Sequence, residues 1–325
     1  MKTILAVLIV LASPLFGAYT IKEGKLISVE KFLLSSPQEH YSSMLSADEK
    51  KEWKRLQAEA ELILHHFSET PFYQEALFFL GKSYFNQQEY EQANKNLSSY
   101  LKKQTALTHF SEAIELKFLI AEEFRKGAKK HLMGWEVLPK WIPAYEEALS
   151  LYEEVIGALP NDALAAQALF GKASLEFLDG EWEKAIESNS SLIRRFPHHS
   201  LTKEAYLQIG KIYLLECQET YPDANFLDLA EINFKKFTQD FPSDEKLQEA
   251  ENMLQEMREI YAKSFYEIAR FFERTKKTKA SLIYYSKIIK QYPKTKCAEL
   301  SKERLSVLLE NPPLKEEKLI LAPAS

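Results

Sequence analysis

The sequence predicts an all-α fold, a right-handed α–α superhelix of about five helix pairs. Three observations carry this. The 325 residues include only 9 Gly and 13 Pro among abundant Leu, Ala, Glu and Lys, so helix breakers are scarce and helix formers common. One phrase recurs, an apolar helical run that stops near a proline and restarts at once: "HHFSETPFYQEALFFLGKSYF", "IGALPNDALAAQALF", "RRFPHHSLTKEAYLQIGKIYL", "TQDFPSDEKLQEAENML" and "IKQYPKTKCAELSKERL". The distance from a small residue to that proline is constant, twelve residues for Ala148–Pro160, Ala185–Pro197, Ala230–Pro242 and Ser281–Pro293. Proline disfavours the α conformation of the residue before it and cannot continue that helix, so it closes one helix and suits the opening turn of the next. A single helix pair cannot bury its own apolar face, and neighbours therefore stack.

Taken in chain order, residues 1–18, "MKTILAVLIVLASPLFGA", read as a secretory signal peptide. A lysine precedes an apolar run from Ile4 to Ala12, then Ser13, Pro14 and the small residues Gly17 and Ala18. The run is too short to span a bilayer comfortably, which leaves a membrane anchor as the competing reading. No cysteine lies near the exit, so no lipid attachment is expected there. Residues 19–45 read as irregular or a loose cap. "SADEKKEWKRLQAEAELILHHF" reads as one helix, with Ser46 as N-cap and Glu49 three residues on. Residues 46–310 are expected to form the repeat array.

In the first full unit Ala76, Leu77, Leu80, Gly81 and Tyr84 share one helical face, "FNQQEY" is a polar break, and Ala93, Leu97 and Tyr100 line a second helix. Gly81 and Ala93 are small where the two helices must approach, and Tyr84 is expected to fill the space left. The second unit carries the insertion "RKGAKKHLMGWEVLPKWIPAYEE" between its helices. In the third, Ala173, Phe177, Trp182 and Ala185 match Gly81, Phe85, Tyr90 and Ala93 offset for offset. The fourth places Tyr213 beside Gly210 and carries the shorter insertion "LECQETYPDANFLD". A long helix through "KLQEAENMLQEMREIYAKSFYEIARFF" leads into the fifth, and the tail 311–325 reads as extended or disordered.

This pattern resembles the tetratricopeptide repeat: a small residue, an aromatic three later, Ala twelve after the small residue and Pro a further twelve on. The aromatic corners narrow the resemblance. "FSETPFYQEALFFLGKSYFNQQEYEQA" and "FPHHSLTKEAYLQIGKIYL" look like early units of the BamD family of outer-membrane β-barrel assembly lipoproteins. "FYEIARFFERTKKTKASLIYYSKIIKQYPKTKCAEL" is similar to that family's last unit, with Ala269, Arg270, Phe271 and Phe272 preceding the Tyr292–Pro293 corner. The resemblance covers roughly residues 50 to 309. The missing lipid-attachment cysteine and the insertion around Trp135 and Trp141 depart from the family.

The chemistry of an enzyme is not visible. Gly81-Lys82-Ser83 resembles the tail of a phosphate loop, but position 76 is Ala76 where that loop needs glycine. There is no G-x-S-x-G and no H-E-x-x-H. Adjacent helical residues diverge by about 100°, so His65–His66 and His198–His199 make poor chelating pairs, and the latter read as a surface corner. Cys217 and Cys297 do not make a disulfide framework and are expected as free thiols. The net charge of −5 and pI near 5.9 give no nucleic-acid footprint. "RKGAKK" reads as a solvated helix end or a contact for acidic lipid or a partner. Trp135 and Trp141 either fold the insertion back onto its helices or present an exposed anchor.

The resemblance implies a non-enzymatic periplasmic scaffold in outer-membrane protein assembly, without cofactor, metal or small-molecule substrate. Its partners would be the outer-membrane β-barrel assembly protein and unfolded outer-membrane proteins, with peripheral association with the outer membrane through them. The alternative is a periplasmic adaptor for another cell-envelope or division complex. In tetratricopeptide arrays first helices line the concave face. That selects Phe78, Lys82 and Phe85 in the first unit, Ser174 and Phe177 in the third, and Leu207 and Lys211 in the fourth. The resemblance adds Arg270 as the docking point of the assembly partner.

Overall fold

In a computed structural model the described residues are 19–22 and 25–28, by backbone alone, and 36–102, 107–132, 138–218 and 225–310 with side chains. The signal-peptide reading of residues 1–18 and the tail 311–325 lie outside the described residues. Among the described residues thirteen helices carry the fold, in two compact units that divide after Pro160.

The first unit holds α1 (Pro37–Glu49), α2 (Trp53–His66), α3 (Phe72–Asn86), α4 (Tyr90–Leu101), α5 (Phe110–Arg125) and α6 (Tyr145–Ala158). It also has two short antiparallel strand pairs, β1 (Tyr19–Lys22) with β2 (Lys25–Ser28), and β3 (Lys129–His131) with β4 (Lys140–Pro143). Helices α1–α2, α3–α4 and α5–α6 pack as antiparallel neighbours. The second unit pairs α7 (Ala163–Leu178) with α8 (Trp182–Arg195) and α9 (Ser200–Cys217) with α10 (Asn225–Asp240). The long α11 (Leu247–Arg274) pairs with α12 (Thr278–Gln291), and α13 (Lys296–Glu310) packs on both. The fold is thus all-α and built of tetratricopeptide-type helix pairs.

The proline corners behave alike. Leu159, Phe196 and Tyr292 cap α6, α8 and α12 at φ/ψ of −128/60, −129/57 and −127/54. Each cap N–H still donates to the carbonyl four residues back, at 3.1, 2.9 and 2.8 Å. The turns inside the pairs share a second geometry. Gln88, Gly180 and Lys276 take positive φ, and the next residue's N–H reaches back five residues: Glu89 to Tyr84, Glu181 to Glu176, Lys277 to Phe272, each at 2.9 Å. That is the Schellman helix end.

Two expectations need correcting. The helical region begins before Ser46. Ser36 caps α1 with a reciprocal capping box to Glu39, and Pro37 opens the helix. Ser46 lies inside α1. The chain then turns at Lys51, at φ 56°, so the single helix expected over 46–67 is two. Gly210 is a looser crossing than Gly81. A Cβ there would meet Met253 Cε at 3.5 Å and Asn233 Nδ2 at 3.8 Å, whereas at Gly81 it would meet Leu97 Cγ at 2.8 Å. Tyr213 is buried in a cluster with Cys217, Leu227, Met257 and Tyr261.

Candidate protein-interaction surface

The residues selected from the repeat pattern divide by unit. In the second unit, α7 and α9 pack side by side and bring two of them together. Lys211 is exposed, and its Nζ stands 5.4 Å from the ring centroid of the half-buried Phe177. Ser174, one turn earlier on α7, is half-buried and donates its hydroxyl back to the Phe170 carbonyl at 2.8 Å. Leu178 follows at the end of α7 and is 70% exposed. Leu207 is not part of this surface, because it is buried against Tyr206 and Phe237.

In the first unit the selected residues are consumed by the fold. Phe78 was expected to show a face to a groove, yet it is fully buried. The His109 ring lies flat on it at 4.3 Å between centroids, and Phe79 and Tyr100 complete the contact. Lys82 is bound to Asp48 at 2.9 Å and Glu112 at 3.2 Å. Burial opposes its charge, but those two carboxylates outweigh it and hold the ammonium above the usual lysine range. Phe85 is half-buried against Tyr90.

Arg270 is exposed near the end of α11, next to Phe271, which is 51% exposed. The neighbouring Glu273 accepts from Tyr285 at 2.7 Å and pairs with Arg304. Burial opposes its charge, but these partners hold its carboxyl below the usual range.

Trp135 lies outside the described residues. Trp141 is 68% exposed, where the β3–β4 register slips between Lys130 and His131. A bulge of this kind re-aims a side chain. The basic cluster Arg125 to Lys130 is largely neutralised: Arg125 pairs with Glu122, Lys126 with Glu123, and Lys130 with Glu147.

Sequence reasoning missed the polar nodes. His131 and Lys140 both reach Glu89, at 2.9 and 3.0 Å. Lys117 is fully buried, donates to Ser98 at 2.7 Å and pairs with Glu154. None of these pairs has a spacing that marks it in the sequence. His198 is exposed, while His199 caps α9 by accepting from the Leu201 N–H at 3.2 Å. Among the described residues no group of three or more His, Cys, Asp or Glu converges to hold a metal ion, and no helix is long and apolar enough to cross a membrane. Cys217 and Cys297 are free and buried. Burial foremost pushes the Cys297 thiol up to about 11, and the Glu259 carboxylate beside it adds to the shift.

The family model of YfiO, described as outer membrane lipoprotein, matches residues 143–313, and a tetratricopeptide repeat model matches residues 75–105. No curated protein matches the chain. Solved structures similar to it include MamA of Desulfovibrio magneticus RS-1, at 16% identity over 64% of this chain and 97% of that one, TM-score 0.37. The C-terminal part of a TPR repeat-containing protein of Cytophaga hutchinsonii is similar at 14% identity over 84% and 90%, TM-score 0.40. YrrB, a TPR protein with an unusual peptide-binding site, is similar at 15% identity over 66% and 90%, TM-score 0.37.

Proposed function

We propose that this chain, which belongs to the YfiO family of outer membrane lipoproteins, is a periplasmic scaffold that receives extended outer-membrane protein segments during their assembly. The tetratricopeptide and YfiO matches make it a protein-interaction scaffold of the cell envelope. The observation that carries the finer reading is the Phe177–Lys211 pair on α7 and α9, with Leu178 exposed beside it. A half-open aromatic ring and an unburied ammonium accept an apolar or aromatic side chain together with a carboxylate. Arg270 and Phe271 on α11 form a separate contact, where the barrel-bearing assembly partner docks.

A photo-crosslinking residue in place of Leu178, used in intact cells, tests this. The reading expects adducts with outer-membrane β-barrel proteins, weakened by Phe177→Ala with Lys211→Ala in a protein whose helicity is unchanged. Adducts confined to division or other envelope proteins would replace it with the adaptor reading.

A further inference from the structure

The insertion in the α5–α6 pair closes as the β3–β4 hairpin, and one histidine joins it to the turn before α4. His131 is buried at the end of β3. Its Nδ1 faces the Leu138 carbonyl oxygen at 2.5 Å, and its Nε2 faces a Glu89 carboxylate oxygen at 2.9 Å. A carbonyl and a carboxylate only accept hydrogen bonds. Both ring nitrogens must therefore donate, and the form of the ring that satisfies both is the imidazolium.

The charged groups around the ring come from both sides of the joint. Glu89, at the entry to α4, is the direct partner, and Glu91 in the first turn of α4 accepts from the His131 backbone N–H at 2.7 Å. Lys140 of β4 shares Glu89 at 3.0 Å and donates to the Gln88 carbonyl at 2.7 Å, and its charge opposes that of the ring. Lys130 is directed to Glu147 of α6.

We propose that His131 is a proton-operated latch: as an imidazolium it pins the β3–β4 hairpin, and with it the exposed Trp141, to the turn between α3 and α4, and loss of one ring proton loosens that hold, leaving Lys140 and the Glu91 contact to carry it. The neutral ring keeps only one of its two bonds and leaves either the Leu138 carbonyl or the half-buried Glu89 carboxylate without this donor. The Leu138 carbonyl and Glu89 hold the ring's protonation above the ordinary histidine range, against burial and Lys140. A folded-state value raised in this way gives a latch fully closed below the pH at which a free histidine titrates, and opened as pH rises through the ring's own, higher value.

Nitrogen-15 spectra of the full chain labelled at its seven histidines, with His131→Gln to identify the signal, read the ring directly. Amide exchange, corrected for its intrinsic pH dependence, reads the joint through the His131 backbone N–H, which donates across it to Glu91 of α4 at 2.7 Å. From about pH 5 to about pH 9 we expect His131 to be doubly protonated at the acid end and to titrate above a free imidazole. Protection of the His131 N–H should fall about tenfold or more over the same interval, as expected for loss of a charge-assisted hydrogen bond across the joint. Glu89→Gln should lower the midpoint and shrink the step. A single neutral tautomer at about pH 5, or flat His131 N–H protection across the ring's titration, would overturn the latch. Those two readings come from the parent protein and stand even if a variant misfolds.

Discussion

Two glycines sit in the first helices of their pairs, and the same substitution should move them in opposite directions. A methyl group at Gly81 in α3 would lie 2.8 Å from Leu97 Cγ, 2.9 Å from its Cδ2 and 3.3 Å from the Ala93 carbonyl oxygen. Leu97 is fully buried, so the branch carbon cannot swing aside into solvent and α4 itself must move. Overpacking of this kind costs roughly 1–3 kcal/mol, while alanine recovers about 1 kcal/mol of helix propensity. The net effect of Gly81→Ala is therefore a loss of about 1 kcal/mol. At Gly210 in α9 the nearest atoms stand at 3.5 and 3.8 Å, ordinary van der Waals distances. There nothing opposes the propensity, and Gly210→Ala should gain up to about 1 kcal/mol. The two sites belong to different compact units, so amide exchange of α4 and of α9 is the discriminating assay, with urea unfolding followed by circular dichroism alongside. If both variants shift the same way, the contrast between the α3–α4 and α9–α10 crossings is wrong.

Phe78→Ala should cost about 3–5 kcal/mol and expose α3 to exchange, because it removes the ring on which His109 lies; a variant as stable as the parent would mean that this stack does not form. The turn geometry predicts that Gly180→Ala loses about 1 kcal/mol at φ 81°, and that Lys276→Gly gains about 0.5 kcal/mol at φ 58°; urea midpoints moving in the reverse sense would remove the left-handed turns.

What was legible in the sequence was whatever a residue does by its own sterics. A proline cannot continue a helix wherever it stands, so Pro160, Pro197 and Pro293 announce three corners with one backbone geometry. The small residues Ala148, Ala185 and Ser281 sit fully buried twelve residues before them. The left-handed turns were only partly legible, because Gly127 and Gly180 carry the residue that conformation favours and the other turns do not. At Lys51, Gln88 and Lys276 the packing of two helices imposes it on a side chain. The start of α1 failed differently. The chain offers two capping boxes ten residues apart, Ser36 with Glu39 and Ser46 with Glu49. Pro37, which cannot lie inside the helix and suits its first position, marks the earlier one as a start.

The candidate surface shows where repeat logic ends. Counting from the small packing residue identifies which side of a first helix faces its successor, and it treats Lys82 and Phe177 alike. Whether such a residue meets a client or a neighbour depends on chains brought in from elsewhere. Asp48 lies 34 residues before Lys82, one tetratricopeptide period, and Glu112 lies 30 after it, and both close on its ammonium. His109 enters between α4 and α5 and fills the face of Phe78. On α7 Phe177, the counterpart of Phe85, is half-buried and has beside it Lys211, which is itself in solvent. A partner at the first site would have to displace two ion pairs and a buried aromatic stack. At the second it has to displace water and one cation–π contact. The smaller desolvation and rearrangement cost is the physical reason to look for client binding at Phe177 and Lys211.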